Sequence, residues 1–172
     1  MGNRLSSTSK PAIWLAGGLS SLPLIALESD KDQQVLWSSE GDSTMSIIGD
    51  SRILKMNEDV TVTQGTLEIY GSEATFEYRV STNELSKVTV QGNPVRYQQQ
   101  LDTTGTLVVG TSDTLLFYTD ALDQTILELI GNANLESPDS TMSCSAIIYV
   151  SDYDLIREAT GPCQGTLNSQ PN

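Results

Sequence analysis

Histidine is absent from the whole 172-residue chain. That one absence removes Ser-His-Asp and Cys-His catalysis together with most zinc sites. A glycine loop of either common phosphate-cradling type is also missing, so no nucleotide cofactor is expected. Basic residues are scarce, with 9 Lys and Arg against 22 Asp and Glu, and a formal net charge of −13 opposes nucleic acid as a partner. Sustained helical periodicity is lacking too, apart from a turn or two near the N-terminus. The acidic residues are spread singly at outward strand positions, which reads as a solvated face and not as an enzyme's paired carboxylates. Six prolines, thirteen glycines and 38% hydrophobic content argue against disorder, and the length suits one domain with a core.

What is present is strand alternation. From Asp59 to Tyr78, Val60 and Val62, then Leu67 and Ile69, then Ala74, Phe76 and Tyr78 fall on alternate residues, with Thr61, Glu68, Thr75 and Glu77 between them. Gln64-Gly65 and Gly71-Ser72 interrupt the runs where a chain turns or bends. The unit reads as strand, tight turn, strand, bend, strand.

The unit recurs. Thr66 to Tyr78 aligns without a gap to Thr44 to Met56 and to Thr106 to Tyr118, and a drifted fourth copy starts at Thr141-Met142. In each copy an apolar pair (Met45/Ile47, Leu67/Ile69, Leu107/Val109) is followed nine residues later by another (Leu54/Met56, Phe76/Tyr78, Leu116/Tyr118). A second punctuation mark, an acidic residue or glycine followed by Asp or Asn, occurs at Glu58-Asp59, Gly92-Asn93 and Gly131-Asn132. Such spacing predicts an all-β array of hairpins, each needing its neighbours to bury its apolar edge. Short turns are expected at Ser81 to Glu84 and at Asp120 to Asp123, and Lys31 to Asp42 reads as a connecting excursion.

The ends differ from the middle. Residues 1–23 read as a secretory signal, with Arg4 and Lys10 ahead of a short apolar run that glycine and proline interrupt, and with cleavage between 20 and 26. An uncleaved single-pass anchor is the competing reading. The folded domain is expected over 24–167, opening on a strand from Leu24 to Asp30, and 168–172 read as a frayed tail. If Ser151 to Asp154 is a hairpin turn, Cys144 comes opposite Gly161 and close to Cys163. In an exported chain this pair reads as a disulfide, with two unpaired buried thiols as the alternative.

Leu27-Glu28-Ser29-Asp30, Asp59-Val60-Thr61-Val62-Thr63-Gln64-Gly65, Gly92-Asn93-Pro94-Val95 and Leu129-Ile130-Gly131-Asn132-Ala133 stand in this order along the chain. Together they resemble the LptA-like, or OstA-like, family of periplasmic lipopolysaccharide transport proteins, over about Leu24 to Leu167. The resemblance implies an open, slightly twisted antiparallel β-jellyroll with an apolar interior. It also implies a periplasmic carrier that binds lipopolysaccharide, stacks head to tail with its own copies, and meets the inner- and outer-membrane components of the transport machine. Several features depart from the family pattern: Glu58-Asp59 replaces Gly-Asn before the first Val-x-Val, the stretch from Lys31 to Asp50 is longer than the family's first connection, the strong negative charge is unexpected for a carrier of an anionic glycolipid, and the cysteine pair is not a family requirement.

On this reading Ile25, Leu27, Val60, Val62, Leu67, Ile69, Phe76, Val95, Tyr97, Leu116 and Tyr118 line a trough for acyl chains, because alternation puts each set on a single face. Both registers are apolar from Leu115 to Tyr118, and the gapless alignment selects Leu116 and Tyr118. The competing reading is a secreted structural or adhesin-like β-repeat scaffold whose apolar faces pack as a filled core.

Overall fold

The computed structural model describes residues 30–101 and 105–167. The leader, nearly all of the expected strand from Leu24 to Asp30, Ile25 and Leu27 within it, and the tail at 168–172 lie outside the described residues. Among the described residues, ten antiparallel strands form one sheet: β1 (Leu36–Ser38), β2 (Ser43–Ile48), β3 (Ser51–Gln64), β4 (Leu67–Arg79), β5 (Leu85–Gln100), β6 (Leu107–Thr119), β7 (Thr125–Ser137), β8 (Ser140–Val150), β9 (Leu155–Thr160) and β10 (Gln164–Leu167). The six strands β3 to β8 form a meander in sequence order. Two short strands share each outer edge, β1 and β2 along β3, and β9 and β10 along β8. The sheet does not close on itself, so the fold is an open all-β jellyroll.

A line of irregularities crosses the meander. The register shifts between Asn57 and Val60, Tyr70 and Glu73, Gln91 and Val95, Thr111 and Thr114, and Ile130 and Ala133. The sequence's second punctuation mark falls on this line. Glu58 and Asp59 take φ of 63° and 46°, Gly131 and Asn132 take 76° and 47°, and Asn93-Pro94 is a cis peptide. Two successive left-handed residues bend a strand sharply, and Asp, Asn and Gly tolerate that conformation best. Each long strand thus has a lower half, near the turns at 65–66 and 138–139, and an upper half, near the turns at 80–84 and 120–124.

The halves face one another. The rings of Tyr97, in the lower half of β5, and Tyr149, in the upper half of β8, lie 6.4 Å apart although two strands separate them in the sheet. Trp37 of β1 meets Phe76 of β4 at 6.5 Å in the same way. One continuous core fills the space between the halves.

The repeats and the excursion need correction. The copy at Thr44 to Met56 forms the β2–β3 hairpin, whereas the copies at Thr66 and Thr106 each form one bent strand. Local hydrogen bonding decides this, because Gly49 at φ 60° closes a turn where Gly71 lies within a strand. The stretch from Lys31 to Asp42 is not wholly connection either, since Leu36–Ser38 pairs with Thr61–Thr63. The expected turns stand, with Asn83 and Asp123 at φ 58° and 60°.

Candidate functional site: an apolar interior crossed by continuous rows

Cross-strand partners share a face, so the register writes out rows that run perpendicular to the strands. One lower row reads Trp37, Val62, Ile69, Tyr97, Gly110, Leu135, Met142 and Gly165. One upper row reads Met45, Leu54, Phe76, Val88, Phe117, Leu127, Tyr149 and Ile156. A second upper row carries Met56, Ala74, Val90, Leu115, Leu129 and Ile147. Fully burying a Val, Leu, Ile or Phe side chain contributes roughly 1.5–3 kcal/mol, so these rows are the main source of cohesion.

Of the residues expected at the trough, Val60, Val62, Leu67, Ile69, Phe76, Val95 and Tyr97 are buried between the halves. Leu116 and Tyr118 are not among them. The structure turns Leu115 and Phe117 inward and leaves Leu116 and Tyr118 half-buried on the opposite face. The third repeat is displaced by one residue throughout, with Val108 inside while Leu107 and Val109 are exposed. The cause is packing. Gly110 sits inward opposite Tyr97, and a Cβ there would come within 3.0 Å of Leu129 and 3.2 Å of the Tyr97 ring. Ser112, also inward, donates its hydroxyl to the Thr114 carbonyl at 2.8 Å. A glycine and a serine therefore occupy inner positions that a hydrophobic pattern assigns to the surface.

Several interior residues had a usable sequence signal. Val88/Val90, Leu127/Leu129 and Ile147/Tyr149 each alternate, and all are buried. Trp37 had only a weak one, because Val35-Leu36-Trp37 is a three-residue apolar run within a polar, Gly- and Ser-containing stretch.

The rows are closed along their length and open at one edge. Met45 and Ile47 are each 62% exposed and Trp37 44%, although Trp37 and Met45 continue the buried rows. Among the described residues two tyrosines are buried in the interior, Tyr97 and Tyr149, and each hydroxyl is satisfied. Tyr97 donates to Gln99 Oε1 at 2.9 Å, and Tyr149 donates to Asp154 Oδ1 at 2.8 Å. Burial pushes both phenols above their ordinary pKa, helped by the carboxylate of Asp154, so they stay neutral donors. Burial likewise raises the Asp154 carboxyl, against the lowering effect of the Tyr149 hydrogen bond.

The cysteines are joined. Cys144 and Cys163 form a disulfide across 19 residues, with Cα atoms 4.3 Å apart. The register differs by one from the expected hairpin, since Ala146 faces Thr160, because an irregularity between Ile148 and Tyr149 adds a residue on the β9 side. Beside the bond lies a depression of about 490 Å³ lined by Asn132, Asn134, Ser143 and Gln164 among others. Its amides and hydroxyls suit water, unlike the interior rows. Among the described residues there is no cluster of His, Cys, Asp and Glu able to hold a metal ion.

The comparisons with known proteins agree with this architecture. No curated protein matches the chain by sequence. Among solved structures, LptH from Pseudomonas aeruginosa, described as the LptA homologous periplasmic component of the conserved lipopolysaccharide transport device, superposes with a TM-score of 0.66 at 19% identity, over 83% of this chain and 99% of that one. At that identity the likeness is one of fold. The family model for the LptA/(LptD N-terminal domain) LPS transport protein matches residues 43–154, which span β2 to the turn after β8. The chain belongs to the LptA/(LptD N-terminal domain) family of lipopolysaccharide transport proteins.

Proposed function

We propose that this chain is a periplasmic carrier, not a catalyst, that holds the acyl chains of lipopolysaccharide between the two halves of its sheet. One observation supports the reading above the others. Two apolar rows run across the sheet to β1 and β2 and end there in exposed Trp37 and Met45, with exposed Ile47 two residues further along β2, where a self-contained core would end in polar residues. An acyl chain hidden from water gains about 0.8 kcal/mol per CH₂, hence roughly 10 kcal/mol for a chain of about a dozen carbons. That gain is ample to part side chains that now pack on one another. Family membership supports the same role. Lipid contacts are assigned to Val60, Val62, Leu67, Ile69, Phe76, Val95 and Tyr97, joined by Leu115 and Phe117 in place of Leu116 and Tyr118.

Bridging follows from the edges. Among the described residues, β1 and β2 at one end and β9 and β10 at the other are the outermost strands, so copies can add head to tail there, and the same geometry fits the inner- and outer-membrane components of the transport machine. Such a contact is heterologous and need not close, which favours chains of variable length.

The scaffold reading has one observation in its favour, the dense filling of the interior. Photoreactive residues placed singly at 60–63, 67–70 and 115–118, in cells making lipopolysaccharide, separate the two. Crosslinks at 60, 62, 67, 69, 115 and 117, with few at the positions between, are expected of the carrier. Equal crosslinking at inward and outward positions, or none inward, favours the scaffold.

A further inference from the structure

We propose that Asp30 and Lys31 form a strap across one rim of the interior, and that acyl chains enter only when this strap yields. The proposal rests on the carrier reading and concerns how the same interior is opened. Asp30 is only 7% exposed, and its two carboxylate oxygens accept the backbone N–H and the hydroxyl of Thr66 at 3.0 and 2.6 Å. The Gln99 side-chain amide donates to the same carboxylate at 3.2 Å. Thr66 and Gln99 belong to the lower half. From the next residue the chain reaches the upper half, where Lys31 Nζ lies 3.0 Å from the Asp152 carboxylate and donates to the Asp123 carbonyl at 2.8 Å. Asp152 in turn accepts the Thr125 backbone N–H at 2.7 Å.

A direct bond ties the rim as well. Ser151, in the 3-10 turn after β8, donates its hydroxyl to Gln99 Oε1 at 2.7 Å, and both residues are almost wholly buried. Gln99 therefore links Asp30, Tyr97 and Ser151 in one network. A bond to a buried carboxylate is strong, and each partner it leaves behind is costly to bury unpaired. Apolar packing between the halves has no preferred distance of that kind, so the polar network, more than the rows, holds the rim at one separation. Gly65 is shaped to the strap, since a Cβ there would stand 2.1 Å from Asp30 Oδ1.

Two measurements on the full-length protein test this. Nitroxide labels on Asp139→Cys, in a lower-half turn, and Leu122→Cys, in an upper-half turn, report the separation of the halves by pulsed electron resonance without any ligand. Stopped-flow uptake of dansyl-tagged undecanoic acid reports access. Asp30→Ala and Lys31→Met are expected to broaden the distance distribution toward longer values and to speed probe uptake at least tenfold, with little change in final occupancy. Thr66→Val, which removes one hydroxyl donor, serves if Asp30→Ala fails to fold. Unchanged distances and uptake rates in folded variants overturn the strap. If no form of the protein takes up the probe, the carrier reading fails, and the label distances still decide whether the strap holds the halves together.

Discussion

Leu115 and Leu116 are adjacent and chemically identical, yet the structure gives them opposite fates. Leu115 is fully buried between Val90 and Leu129 on the inner face, whereas Leu116 stands half-buried between Thr89 and Glu128 outside. Truncating a fully buried leucine to alanine costs about 2–5 kcal/mol, the lost transfer energy plus that of the cavity left behind. With its neighbours held in a bent sheet that collapses poorly, Leu115→Ala should cost about 3 kcal/mol. Leu116→Ala forms no closed cavity and should cost less than about 1 kcal/mol. For a domain of this size these losses become a fall in Tm of roughly 6–12 °C for Leu115→Ala and under about 4 °C for Leu116→Ala. In urea, with a slope of about 2 kcal/mol/M, the Leu115→Ala midpoint should drop by roughly 1.5 M. Circular dichroism during thermal and urea unfolding makes the comparison directly. Equal losses, or a larger loss at Leu116, would refute the assigned face of β6 and, with it, the place of Leu115 and Phe117 in the interior.

Four further outcomes follow from the structure. The Cys144–Cys163 bond closes a loop of 19 residues, so a Cys144→Ala/Cys163→Ala variant should lose about 3 kcal/mol in the chain-entropy model, read by urea unfolding without reductant. Gly131 sits at φ 76°, and a Cβ there would come 2.4 Å from Asp113 Oδ2, so Gly131→Ala should lose at least the ~1–2 kcal/mol of left-handed strain, measured the same way. Asp154 has a folded-state pKa above its ordinary value, so the folded form takes up the proton first as pH falls. Its destabilising effect is complete above that folded pKa and is relieved as pH falls through it, so Asp154→Asn, which keeps an acceptor for Tyr149, should raise Tm at pH 7, and its advantage over the parent should shrink on acidification as the parent's carboxyl takes up its proton. A chain ending at Gly161 lacks β10 and the disulfide, and should remain folded but sediment as a monomer at concentrations where the full chain associates.

Much of the fold was legible because alternation survives wherever a strand has one wet face. Val60/Val62, Leu67/Ile69 and Val95/Tyr97 show it, and the marks at Glu58-Asp59, Gly92-Asn93 and Gly131-Asn132 flagged the line of bends. What the pattern could not carry is the third dimension. Nothing local says that the lower half of β5 packs on the upper half of β8, and only that stacking explains why Gly110 and Ser112 face inward. Across Leu115 to Tyr118 both faces are apolar, so the sequence was silent there and the alignment of repeats, displaced by one, misled. Asp30 closes one of the motifs that the sequence showed, but its role, like that of Trp37, could not be read there, because each owes it to partners far along the chain.

The meander order of β3 to β8 also shapes how the molecule comes apart. Every ladder in it joins strands that follow each other in sequence, so each pairing closes only a short loop and costs little chain entropy. Such a sheet behaves as a zipper with two free ends, in which strands detach in sequence and the middle outlasts the margins. Amide exchange should therefore be fastest in β1 and β2 and slowest in β5 and β6. The two ends are not alike, because the Cys144–Cys163 bond clasps β10 to β8 while no covalent link holds β1 or β2. Fraying consequently starts earlier and reaches further from the apolar, unclasped margin than from the clasped one.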